Sequence, residues 1–143
     1  MANFDVVVGN TDFTFDKNEV KSLFKEVEKK AEAMSRCAGI LWEECDGEHS
    51  EIYDIQKVAD DVKETSKAAF IINDYDGRYM MNVPKIIDVI QSVDIAWDYS
   101  CKIARKCENG NDFTAALARK LRIYANEASD ATDKIRKILE AFI

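Results

Sequence analysis

The stretch LWEECDGEHSEIYD, residues 41–54, holds six acids, the only His of the chain and one of its four Cys. Thiol, imidazole and carboxylate side chains are the donor types that zinc accepts, and a thiol beside an imidazole is the minimal unit of cysteine nucleophilic catalysis. Cys45 and His49 stand four positions apart; the other cysteines are Cys37, Cys101 and Cys107. Neither Cys spacing is C-x-x-C, so the redox and zinc-knuckle patterns are absent. If the chain folds as an up-down-up-down bundle, the turns joining the first helix to the second and the third to the fourth fall at one end. Cys45, His49, Cys107 and an acid such as Glu108 or Asp112 then have a way to meet. No local motif supports that set. Buried thiols and a solvated His are the simpler account, and the sequence implies no metal or cofactor by motif.

Other chemistries fail on counting. A di-iron bundle needs two Glu-x-x-His motifs and two further Glu; one His cannot supply them. All four Cys sit toward helix C-terminal halves, where the helix dipole opposes a thiolate, so cysteine catalysis is disfavoured and no catalytic residue is assigned. There is neither GxxxxGK[ST] nor GxGxxG. Asn73-Asp74-Tyr75-Asp76-Gly77 resembles part of a calcium loop, but aligning Gly77 to its glycine puts Ile72 and Val83 at ligand positions.

The elements that carry these residues follow from composition and periodicity. The 143-residue chain has one Pro and five Gly, with 47% apolar residues, which predicts one domain of long helices with a buried core. Residues 1–15 alternate with period two around Gly9-Asn10, which predicts a β-hairpin. Helices are expected over 16–45, 50–73, 84–108 and 112–142. The first is capped by Asp16 with Glu19 three on, and its stripe is Val20, Phe24, Val27, Ala31, Met34, Ala38 and Leu41. The third stripe includes Trp97, placing it in the core; the fourth runs Phe113, Leu117, Leu121, Tyr124, Ala128, Ala131, Ile135, Ile138, Phe142. The expected fold is mainly α, an antiparallel four-helix bundle with an N-terminal β-hairpin. Residues 70–83 have two readings: a second hairpin around Asp76-Gly77, giving an α+β fold, or a helix end to about Asn73 followed by a loop. The second matches ordinary loop lengths in bundles and is adopted.

Charge narrows the partner. The net charge is −7. Residues 1–101 carry 11 basic and 21 acidic side chains, and the remainder 9 and 6. That balance argues against nonspecific binding to nucleic acid or anionic membranes and favours a protein with a basic surface. The basic residues Arg119, Lys120, Arg122, Lys134, Arg136 and Lys137 of the fourth helix lack the interleaved aromatics of a nucleic-acid groove. No run of about 18 apolar residues and no Sec-type leader is seen, so the expected location is the cytoplasm, with no membrane contact.

The expected function is therefore that of a small acidic non-enzymatic protein that binds another protein, of inhibitor, immunity, phage counter-defence or adaptor type. The expected contact residues are Trp42, Glu43, Glu44, Asp46, Glu48, Tyr75 and Tyr79, aromatics and acids at turns. A metal-binding protein or enzyme built on Cys45, His49, Cys107 and Asp112 is the alternative. A further alternative rests on FTAALARKLRIYANEASDATDKIRKIL in the fourth helix, whose Leu/Tyr/Ala/Ile rhythm resembles that of secreted helical proteins of the WXG type. The Trp-x-Gly turn of that family is missing and the chain is longer. The length of the fourth stripe also suggests a homodimer covering what the other helices leave exposed.

Overall fold

The computed structural model describes residues 3–8, 11–73, 78–81 and 83–140, with side chains described over 19–69 and 83–140. Four helices pack against one another as a bundle: α1 (Lys17–Glu44), α2 (Ser50–Ala69), α3 (Val83–Cys107) and α4 (Asp112–Glu140). Each helix neighbours the next, and α4 closes the ring on α1. Short turns join α1 to α2 and α3 to α4, so the C-termini of α1 and α3 and the N-termini of α2 and α4 share one end.

At the other end lie four short strands: β1 (Asn3–Val8), β2 (Thr11–Asp16), β3 (Phe70–Asn73) and β4 (Arg78–Met81), in the order β2-β1-β4-β3. β1 and β2 are antiparallel in the register Phe4↔Phe15, Val6↔Phe13, Val8↔Thr11. β1 runs parallel to β4, and β3 pairs antiparallel with β4. The turn pairs Gly9-Asn10 and Asp76-Gly77 lie outside the described residues. Helix α2 ends at Ala69, not at the expected Asn73. Phe70, Ile71 and Ile72 are aromatic and β-branched, favouring a strand once β4 is available to pair with them.

The α1 stripe is buried at every expected position, Val20 through Leu41. On α3 the buried line passes through Val93, Ala96, Ser100 and Ile103, which turns Trp97 outward to 38% exposure. Trp97 is thus not core; its indole N–H donates to Asn126 Oδ1 on α4. Helix α4 is rotated by about one position from the expected stripe. Thr114, Ala118, Leu121, Ala125, Ala128, Ala131, Thr132, Ile135 and Leu139 are buried, while Phe113 is exposed and Leu117, Tyr124 and Ile138 pack at the margin. Phe142 lies outside the described residues. Small residues allow close helix approach, so the alanine line faces the core and the larger side chains fill the flanks. Two ion pairs tie α4 to its neighbours: Lys30–Glu127 at 2.7 Å to α1 and Arg136–Asp94 at 3.3 Å to α3.

Among the described residues, no helix is long and apolar enough to cross a membrane.

Candidate functional site

The chain reverses between α1 and α2 through a defined cap. Asp46 N–H donates to Glu43 O at 3.1 Å and Gly47 N–H to Trp42 O at 3.0 Å. This pair of bonds is a Schellman motif with Cys45 as the last residue of helical character. Asp46 (φ 52°) and Gly47 (φ 72°) both take left-handed backbone, which turns the chain sharply enough to bring His49 back beside Cys45. The indole of Trp42 covers Gly47, and its ring stands 5.8 Å from that of Tyr53 on α2. His49 precedes the first residue of α2, and its carbonyl accepts Ile52 N–H at 3.0 Å.

Cys107 is the last residue of α3 and arrives at the same end. The ligand atoms of Cys45, His49 and Cys107 all lie within 4.8 Å of one another. Cys107 is buried, and Cys45 and His49 are half-buried. The sulfurs of Cys45 and Cys107 lie within 4.8 Å of each other, and each thiol affects the proton affinity of the other. Burial raises the pKa of the Cys45 thiol, as do the nearby carboxylates of Glu48, Asp46 and Glu44, while a hydrogen bond with Cys107 opposes them. Burial also pushes the Cys107 thiol up to about 11, with Cys45 adding to the effect by charge and by the hydrogen bond. Both thiols therefore keep their protons at neutral pH unless a cation replaces them.

Three of the four residues in the alternative metal set thus converge, and Asp112 does not join them. Asn111 caps α4, its Oδ1 accepting Thr114 N–H at 2.9 Å, so Asp112 sits in the first turn and is exposed, where its charge complements the helix dipole. A brace that the sequence does not reveal flanks the cluster: Lys106 Nζ lies 2.6 Å from Glu51 Oε1, joining the last turn of α3 to the first turn of α2. The Lys106 bond is the main reason the Glu51 carboxyl is held below its ordinary range, with its own backbone N–H adding to the effect. Glu51 Oε2 is shielded from solvent and has no hydrogen-bond partner among the described residues. The only advance signal for the brace is the i-to-i+2 and neighbour placement of Glu51 and Lys106 beside His49 and Cys107.

The expected partner residues divide between the two ends of the bundle. Glu43, Glu44, Asp46 and Glu48 are exposed and close in sequence to the half-buried Trp42. Tyr79 lies in β4 at the opposite end, and Tyr75 lies outside the described residues. Helix α1 has 28 residues, about 42 Å by its rise, so one small contact cannot join Tyr79 to the acids. Tyr53, which the sequence did not single out for contact, belongs with the acidic end and is 54% exposed.

No protein-family model, no curated protein and no solved structure matches this chain.

Proposed function

We propose that this protein is a non-enzymatic binder of another protein, and that its acidic end makes the contact. The supporting observation is the arrangement around the α1–α2 turn. Glu43, Glu44, Asp46 and Glu48 are exposed, and none forms an ion pair with a described residue. They lie in the last turn of α1 and the α1–α2 turn, the same stretch that carries Trp42, whose ring stands 5.8 Å from that of Tyr53. Helix α1 has no basic residue in its last turn to offset them. Aromatic rings together with these acids suit a partner with a basic surface and an apolar anchor, with charge speeding encounter and the rings supplying buried area. An inhibitor, immunity protein, counter-defence protein or adaptor would each use such a surface, in the cytoplasm or elsewhere.

The test is affinity capture from the protein's own cells with two baits. One is the native chain; the other carries Glu43→Gln, Glu44→Gln, Asp46→Asn and Glu48→Gln. A protein retained by the native bait, lost from the variant and released by raised salt supports the proposal. Identical capture by both baits at all salt concentrations overturns it.

A further inference from the structure

We propose that Cys45, His49 and Cys107 bind one zinc ion at the end of the bundle, with solvent holding the fourth position. The donor set is two sulfurs and one imidazole nitrogen, a combination that zinc takes tetrahedrally. At Zn–S of about 2.3 Å and Zn–N of about 2.0 Å, tetrahedral donors stand roughly 3.5–3.8 Å apart. The three ligand atoms already lie within 4.8 Å of one another, so side-chain adjustments of about 1 Å close the site.

The convergence is tertiary. Cys45 and His49 lie in the turn between α1 and α2, the first just after α1 and the second just before α2, and Cys107 is the last residue of α3, 58 positions further along the chain from His49. The Schellman turn fixes the first two relative to each other, and the Glu51–Lys106 pair holds α3 against α2 beside the third. Ligands carried on capped helix ends are positioned before any ion arrives, which limits the entropy that binding must overcome.

Electrostatics around the cluster suits a cation. The C-termini of α1 and α3, each the negative end of a helix dipole, both end at the cluster, opposed by the single positive N-terminus of α2 at His49. Glu44, Asp46 and Glu48 add their fields at Cys45. Acids at a helix C-terminus are otherwise unfavourable, and a dication between the two helix ends gives them a stabilising role. Zinc uptake would replace the thiol protons of Cys45 and Cys107, releasing two protons to solvent with no change of oxidation state. The half-exposure of Cys45 and His49 leaves a route for the ion and room for the solvent ligand. The inference is independent of the partner proposal, since it concerns the purified chain alone.

The test begins with reduced, metal-free protein titrated with cobalt(II), followed by displacement with zinc against a chromophoric chelator. One cobalt per chain is expected, with a thiolate charge-transfer band in the near ultraviolet and the intense visible bands of a tetrahedral ion. Cys45→Ser, Cys107→Ser and His49→Gln are each expected to weaken zinc binding by about 100-fold or more, beyond the loss of an outer hydrogen bond. Cys37→Ser and Cys101→Ser should bind as the native chain does. His49→Gln leaves the buried Cys107 in place and keeps the test decisive if Cys107→Ser fails to fold. Failure of the native chain to retain zinc against the chelator, or retention unchanged by the three substitutions, overturns the proposal.

Discussion

The indole of Trp42 roofs Gly47: a Cβ added to Gly47 would come within 3.1 Å of Trp42 Cζ2. Gly47 also has a φ of 72°, so two independent constraints, space and backbone, call for glycine there. The contact joins the two ends of the Schellman bond between Gly47 N–H and Trp42 O. It therefore sets the path by which the chain leaves Cys45 and reaches His49. Gly47→Ala should lower stability by about 1–2 kcal/mol, read as a shift in the urea midpoint with an unchanged slope. Asp46→Gly should move the other way, by up to about 1 kcal/mol, because glycine removes the cost of left-handed backbone at that position. Equal effects of the two changes would contradict the cap.

The sequence makes the bundle legible to different depths in its different helices. The α1 stripe is read correctly at every position, because its large apolar residues and the alanines Ala31 and Ala38 fall on one line at strict 4-3 spacing and so point to the same face. On α4 two faces compete, one of large residues at Phe113, Leu117, Tyr124 and Ile138 and one of alanines. Periodicity weights size, whereas packing rewards close approach, and the alanine face is the buried one. Trp97 fails for the same reason: Ala96 and Ile103 take the interior line of α3. The Cys/His cluster is half legible. Bundle topology puts the two turns at one end, but only tertiary packing brings Cys107 to Cys45 and His49. The Asp112 miss is local, since Asn111 takes the cap and leaves Asp112 facing solvent.

Stability should carry a signature of Glu51 in acid. Its carboxyl is held below the ordinary range chiefly by Lys106. A depressed folded-state pKa means that the contribution is fully present above the unfolded value, about 4.3, and is lost as pH falls through the folded value. The pair is partly solvated, with side-chain exposures of 45% for Lys106 and 20% for Glu51, so its worth is about 0.5–1 kcal/mol. Urea unfolding between about pH 6 and pH 2 should show the native chain losing that much more stability than Lys106→Met. Parallel pH profiles for the two would remove Lys106 as the cause.

Thiol reactivity should follow burial and proton affinity. Cys107 is buried and its thiol is pushed up to about 11, so at pH 8 only roughly one part in a thousand is thiolate. Cys37 is also buried, its pKa is raised by burial, and its Sγ lies 3.3 Å from Leu117 O, to which it donates. Cys101 is half-exposed on α3. Timed alkylation of the reduced, metal-free protein, mapped by mass spectrometry, should label Cys101 first and leave Cys37 and Cys107 unlabelled until the chain is denatured. Labelling of Cys107 at the rate of Cys101 would show that the α1–α2 end opens in the native state.

Two buried serines separate the worth of a hydrogen bond from that of helix propensity. Ser66 Oγ on α2 is buried and has no hydrogen-bond partner among the described residues. Ser100 Oγ on α3 is fully buried and donates to Trp97 O at 2.6 Å. Each serine sits within a helix, so replacement by alanine brings the same small gain in propensity. At Ser66 the change also removes an unsatisfied hydroxyl from the core, and Ser66→Ala should raise stability by up to about 1 kcal/mol. At Ser100 it removes a made bond, which offsets the gain. The two deletions are the same in chemistry and volume, so their difference in unfolding free energy isolates the hydrogen-bond term. Ser100→Ala should fall about 1 kcal/mol below Ser66→Ala in urea unfolding. A Ser66→Ala chain less stable than the native one would mean that its hydroxyl has a partner in solution, a buried water being the natural one.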